Sequence, residues 1–129
     1  MNFEDEKDYI MRVIKEMVRV LFSLAFGKKY VSVDQEDENK YEVSGKKLSE
    51  FKAMIDQGKM NDAENILLDS IDYSNKNEVA AAALFYQYLS EQEEDFLRQN
   101  HYSREEALDG MKQLLGSAGY SDLIDLIKL

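Results

Sequence analysis

The segment Asp8–Phe26, DYIMRVIKEMVRVLFSLAF, places its polar residues Arg12, Lys15, Glu16, Arg19 and Ser23 at spacings of three and four. On a helix those positions form one narrow stripe, and everything else from Ile10 onward is apolar. A chain with such a helix must cover a wide apolar arc, using its own later helices, a second copy, another protein or a membrane surface. The spacing predicts a first helix over about Glu4–Phe26, favoured at its positive end by Glu4, Asp5, Glu6 and Asp8. Gly27 is its natural stop, with Lys28 and Lys29 suited to the negative end. If the arc is an interface, Met11, Val18, Phe22 and Phe26 are the candidate residues.

Charges at Arg12, Lys15, Glu16 and Arg19 interrupt the run before the roughly 20 apolar residues a membrane span needs. The acidic tip and the lack of a small-residue cleavage site after Phe26 argue against a secretory signal. A surface-lying helix would set Arg12, Lys15, Arg19, Lys28 and Lys29 on anionic headgroups while Phe22 and Phe26 insert. Peripheral helices, however, have a broader polar face than this one. Core packing, a homodimer seam or a protein partner therefore ranks ahead of membrane contact.

The remainder of the 129-residue chain is expected to supply the cover within a single domain, 1–129. At 44% hydrophobic residues it is too apolar to be wholly disordered. It has no cysteine, which excludes disulfides and thiolate zinc sites and suits a cytoplasmic setting. It has no proline, so no helix meets a fixed breaker. Net charge is -10, distributed as +1 over residues 1–29 and -11 over residues 30–129. The acidic body repels phosphate backbones, so no nucleic-acid partner is expected.

After the first helix, residues 30–45 form an acidic connector centred on DQEDEN. Its flanks YVSV and YEV alternate weakly and suggest a minor β ribbon at 30–43. A second helix is expected over about Lys46–Gln57, burying Leu48, Phe51, Met54 and Ile55, with Gly58 as its cap. The third starts after Asn61, a cap with Glu64 three positions on, and faces inward with Ala63, Ile66, Leu67, Ser70 and Ile71. The fourth starts near Asn75 with Glu78 at capping-box spacing, and its run Ala80–Ala83 followed by Leu84, Phe85, Tyr88 and Leu89 marks it as central. A short helix anchored by Phe96 and Leu97 follows, then one opened by Ser103 and Glu106 with Ala107, Leu108, Met111, Leu114 and Leu115 inward. A last helix buries Leu123, Ile124 and Ile127. The expected class is all-α, six or seven helices in antiparallel hairpins.

The stretch QGKMNDAENILLDSI, Gln57–Ile71, resembles the centre of a tetratricopeptide-type hairpin. Gly58 stands at the turn-adjacent glycine, Ala63 at the small packing position and Ser70 at a second small position. The resemblance implies right-handed stacking of helical hairpins, although no regular repeat period runs along the chain. DYIMRVIKEMVRVLFSLAFGK, GKMNDAENIL, AALFYQYLSEQEEDFL and HYSREEALDGMKQLL together resemble a family of small helical proteins of unknown function from Firmicute-type bacteria. That likeness implies a helical fold and a bacterial cytoplasmic setting, and it carries no activity.

Catalytic and metal chemistry find little support in the residues. His101 is the sole histidine, so a histidine-based metal cage within one chain is impossible, and it reads as a turn residue. The stretch from Asp34 has Asn39 and Gly45 where a calcium loop needs glycine and glutamate. The stretch from Asp72 fails likewise, with Lys76 and Ala83 at ligand positions. Phe85, Tyr86, Tyr88 and Phe96 read as core. No cofactor is expected. The expectation is a non-enzymatic helical interaction or scaffold module whose partner is another protein or a second copy, a peripheral membrane protein being the alternative.

Overall fold

The computed structural model describes residues 3–27 and 38–126. Among them are seven helices and one two-stranded ribbon. In chain order these are α1 (Phe3–Phe26), β1 (Glu42–Val43), β2 (Lys46–Lys47), α2 (Leu48–Asp56), α3 (Met60–Ser70), α4 (Lys76–Ser90), α5 (Glu94–Gln99), α6 (Arg104–Ser117) and α7 (Ser121–Leu126). The expected all-α class holds, with a minor β element. Lys28, Lys29, most of the acidic connector and Ile127 lie outside the described residues.

α4 is the axis of the fold. Val79 through Tyr86 are buried without interruption, and Ala80–Ala83 are each at most 1% exposed. A helix covered on all sides needs small side chains where neighbours come close, which the alanine run provides. α1 and α6 make their most extensive contacts with α4, and α2 packs against it too. Phe85 meets Phe51 of α2 edge-on at 5.9 Å and Tyr86 at 5.3 Å. The α2–α4 junction is fastened further by Lys52, which lies 4.8 Å over the Tyr88 ring, and by the Tyr88 hydroxyl, which donates to Asp56 at 2.5 Å.

α1 turns its apolar arc inward: Ile10, Val13, Ile14, Met17, Val18, Leu21, Phe22 and Ala25 are buried, and Arg12, Lys15, Arg19 and Ser23 face solvent. Seven of these are large side chains, each contributing roughly 1.5–3 kcal/mol when buried. Detaching the helix would forfeit on the order of 10 kcal/mol, comparable with the whole stability of a domain. The first helix is core.

Three local expectations are corrected. The ribbon pairs Glu42 with Lys47 and Val43 with Lys46, so Lys46 and Lys47 belong to a strand and α2 begins at Leu48. A turn at Ser44 and Gly45, with φ +48 and +85, joins the strands and drops Val43 into the core; YVSV, Tyr30–Val33, lies outside the described residues. Asn61 does not cap α3. The helix starts at Met60, and Asn61 Nδ2 donates instead to the carbonyls of Asn100 (3.1 Å) and His101 (3.3 Å). Finally, the buried stripe of α3 is Met60, Ala63 and Leu67, while Ile66 is 40% exposed.

Two caps form as the residues imply. Asn75 accepts from the Glu78 backbone N–H, and Ser103 and Glu106 close a reciprocal capping box on α6. The Glu78 carboxylate reaches away from its own helix start, accepting from the Asp72 N–H at 3.0 Å and the Ser44 N–H at 3.4 Å. It ties the ribbon turn to the loop before α4.

Candidate functional site

The polar groups drawn deepest into one place come from α3, α4 and the start of α6. Glu64, on the α3 flank beside the buried stripe, is half-buried. Its Oε2 accepts from the Tyr86 hydroxyl at 2.7 Å, across from α4. Tyr102 precedes α6 by two residues and is 5% exposed. Its hydroxyl is buried beside the carboxylates of Glu64 and Glu106. Glu106, exposed on the first turn of α6, uses Oε2 to accept from the Ser103 N–H at 3.0 Å.

Gly110, one turn further along α6, makes room for this arrangement. A Cβ there would lie 2.4 Å from Tyr86 Cε1 and 2.8 Å from its hydroxyl oxygen. The α6 backbone therefore rests directly on the tyrosine ring. Gly58 plays a similar part at the α2–α3 turn: its φ is +82, and a Cβ would lie 2.5 Å from Asn100 Oδ1.

Burial is the main cause of the cluster's electrostatics. It pushes the Glu64 carboxyl above its ordinary range, hydrogen bonding with the tyrosines opposes the shift, and the Glu106 charge adds to it. Tyr86 and Tyr102 are pushed well above the usual phenol range, first by burial and then by the Glu64 charge, so both stay neutral. The folded pKa of Glu64 thus lies above its unfolded value. Its favourable contribution is complete below the unfolded pKa and is lost as pH rises through the folded one. Relative to the parent, Glu64→Gln is expected to remove this loss in the window just above the ordinary carboxylate range. Urea denaturation of both proteins across that window checks it; parallel stability curves would contradict the burial of Glu64.

The arrangement is a part-buried acid–phenol cluster in which Glu64 accepts from Tyr86 across the α3–α4 contact. Sequence reasoning placed Tyr86 in the core and did not single out Glu64, Tyr102 or Gly110 as partners. The available signal was a glutamate next to an otherwise apolar stripe and a glycine inside a helix.

The residues that were singled out are scattered. Of the α1 candidates, Val18 (0% exposed) and Phe22 (4%) are packed inside the chain. Met11 is partly exposed and Phe26 is 36% exposed, its ring edge-on to Phe22 at 5.5 Å. Ala63 is fully buried, whereas Ser70 donates to the Ile66 carbonyl and offers its own carbonyl to Ser44 Oγ at 2.7 Å, toward the ribbon. His101 is exposed in the turn before α6, at φ +59. Asp72 Oδ1 is occupied by the N–H and hydroxyl of Ser74. Among the described residues, no group of three or more His, Asp or Glu side chains could hold a metal ion. No helix among them is long and apolar enough to cross a membrane.

A family model described as "Family of unknown function (DUF6483)" matches residues 4–119. No curated protein and no solved structure matches the chain.

Proposed function

The chain belongs to DUF6483, a family of unknown function, and we propose that it is a non-enzymatic helical module, tetratricopeptide-like in its α2–α3 hairpin, that binds a basic segment of another protein in the bacterial cytoplasm. The observation that carries this reading is the outer surface of α3. Ile66 and Leu68 stand 40% and 41% exposed on its two opposite flanks, on a helix whose charged residues, Asp62, Glu64 and Asp69, are all acidic. Exposed large apolar side chains among like charges suit a partner that brings both apolar contact and positive charge.

Self-association through α1 would use only part of the expected seam, because Val18 and Phe22 are buried within one copy; among the described residues Phe26, Leu24 and Tyr9 are its exposed large apolar ones. A membrane role meets the same obstacle, because Phe22 would have to leave the core to insert.

The test uses the full chain as bait at low and moderate salt beside the double variant Ile66→Ser/Leu68→Ser. Basic proteins are expected to be retained by the parent, released by salt and lost with the variant. Both positions are partly exposed, and a circular-dichroism melt of the variant checks that it keeps the fold. Equal recovery by parent and variant would remove α3 as the binding surface.

A further inference from the structure

We propose that, while no other protein is bound, the outer stripe of α3 is covered by the solvent stripe of α1 from a second copy of this chain. This rests on the reading of α3 as the binding surface, and it names what competes for that surface.

Both stripes are exposed, and both carry charges seven residues apart. On α1, Arg12 and Arg19 face solvent with Lys15 between them. On α3, Asp62 and Asp69 face solvent with Asn65 and Ile66 between them. Seven residues make nearly two helical turns, so each pair of like charges lies along one line of its helix, about 10 Å apart.

An antiparallel pairing that sets Arg12 against Asp69 sets Arg19 against Asp62 in the same step. It also sets the Lys15 methylenes against Ile66, an apolar contact between the two ion pairs, and Glu16 against the neutral Asn65. The parallel register matches the same charges but turns the Glu16 carboxylate onto Ile66, so the antiparallel one is favoured. Arg19 already pairs with Glu16 through an exposed contact, which solvent weakens. Its guanidinium has five N–H donors, so it can serve Glu16 and Asp62 together.

Within one copy the two stripes cannot meet, since both face solvent in the same structure. A second copy brings them together. Residues 1–29 carry a net +1 and residues 30–129 a net -11, so two copies repel through their bodies, and the arrangement that joins opposite signs is α1 against the body. Exposed ion pairs are individually weak, which leaves the contact reversible and open to displacement by a basic partner.

Sedimentation equilibrium of the full chain at rising concentration, in low and moderate salt, tests the proposal. The mean mass of the parent is expected to exceed one copy at low salt and to fall back as salt screens the pairs. Arg12→Glu/Arg19→Glu and Asp62→Lys/Asp69→Lys should each remain one copy at every concentration. Mixed in equal amounts they should associate again, because each chain then offers the sign the other lacks. Circular-dichroism melts check that both variants fold. Arg12→Gln/Arg19→Gln, which removes the charges without reversing them, should also lose association and stands in for a reversed variant that unfolds. A parent that stays one copy at low salt, a folded double variant that associates like the parent, or a mixture of folded variants that stays apart would overturn the proposal. Capture of basic proteins by a parent that never self-associates would strike the second copy alone. Self-association lost in both variants, with no basic protein captured, would strike the partner protein alone.

Discussion

Gly110→Ala is expected to destabilise the protein by about 2 kcal/mol, while Gly116→Ala in the same helix stabilises it by up to about 1 kcal/mol. Both glycines lie within α6, where alanine is the better helix former. They differ in what a methyl would meet. At Gly116 there is nothing within 4 Å, whereas at Gly110 the methyl would lie 2.4 Å from Tyr86 Cε1 and 2.6 Å from Cζ. Tyr86 cannot recede easily, being fully buried, edge-on to Phe85 and hydrogen-bonded to Glu64. Overpacking of this kind costs roughly 1–3 kcal/mol, and disturbing the Tyr86–Glu64 bond adds about 1 kcal/mol. Together these outweigh the gain in helix propensity. Thermal melts should show Gly110→Ala roughly 5–10 °C below the parent and Gly116→Ala at or above it. Stabilisation by both would mean that α6 does not rest on Tyr86.

Arg104→Met is expected to cost about 3 kcal/mol. Arg104 is 5% exposed, and its guanidinium is spent on backbone: Nε donates to the Ser90 carbonyl at 2.9 Å and Nη2 to that of Gln92. Those carbonyls lie at and just beyond the end of α4, where a helix leaves acceptors unsatisfied. The cation thus closes the C-terminal end of the central helix and clamps it to the start of α6. Methionine preserves much of the stem's packing but leaves the two carbonyls unmet, each charge-assisted bond contributing roughly 1.5–3 kcal/mol. Arg104→Lys keeps the charge with one compact donor group and should fall between the two. Urea unfolding measures both; a loss under about 1 kcal/mol for Arg104→Met would show that water replaces the guanidinium at no great cost.

Two four-residue patterns show how far local signals reach. Ser103 with Glu106 and Asn61 with Glu64 have the same capping-box form. The first closes as a box. The second does not, because Met60 belongs to the buried stripe and must already be helical, which carries Asn61 past the cap position. Asn61 is then free to reach the Asn100 and His101 carbonyls, and Glu64 is drawn to Tyr86. Ser103 meets no competing demand of that strength. In the same way YEV was recognisable as extended, but its partner was settled by the tight turn at Ser44 and Gly45.

The sequence by itself determined that this chain is helical, where most helices begin and end, and that its alanine-rich helix is central. Those properties follow from the spacing of apolar side chains and from caps a few residues long, whose energies are local. Only the tertiary structure decided that α1 is core, that Ile66 is partly exposed, and that Glu64, Tyr86 and Tyr102 cluster with Gly110 against the Tyr86 ring. These groups are separated by many residues along the chain. They meet because α3 and α6 are held at particular positions on α2 and α4, and no local periodicity encodes the distance between two helices.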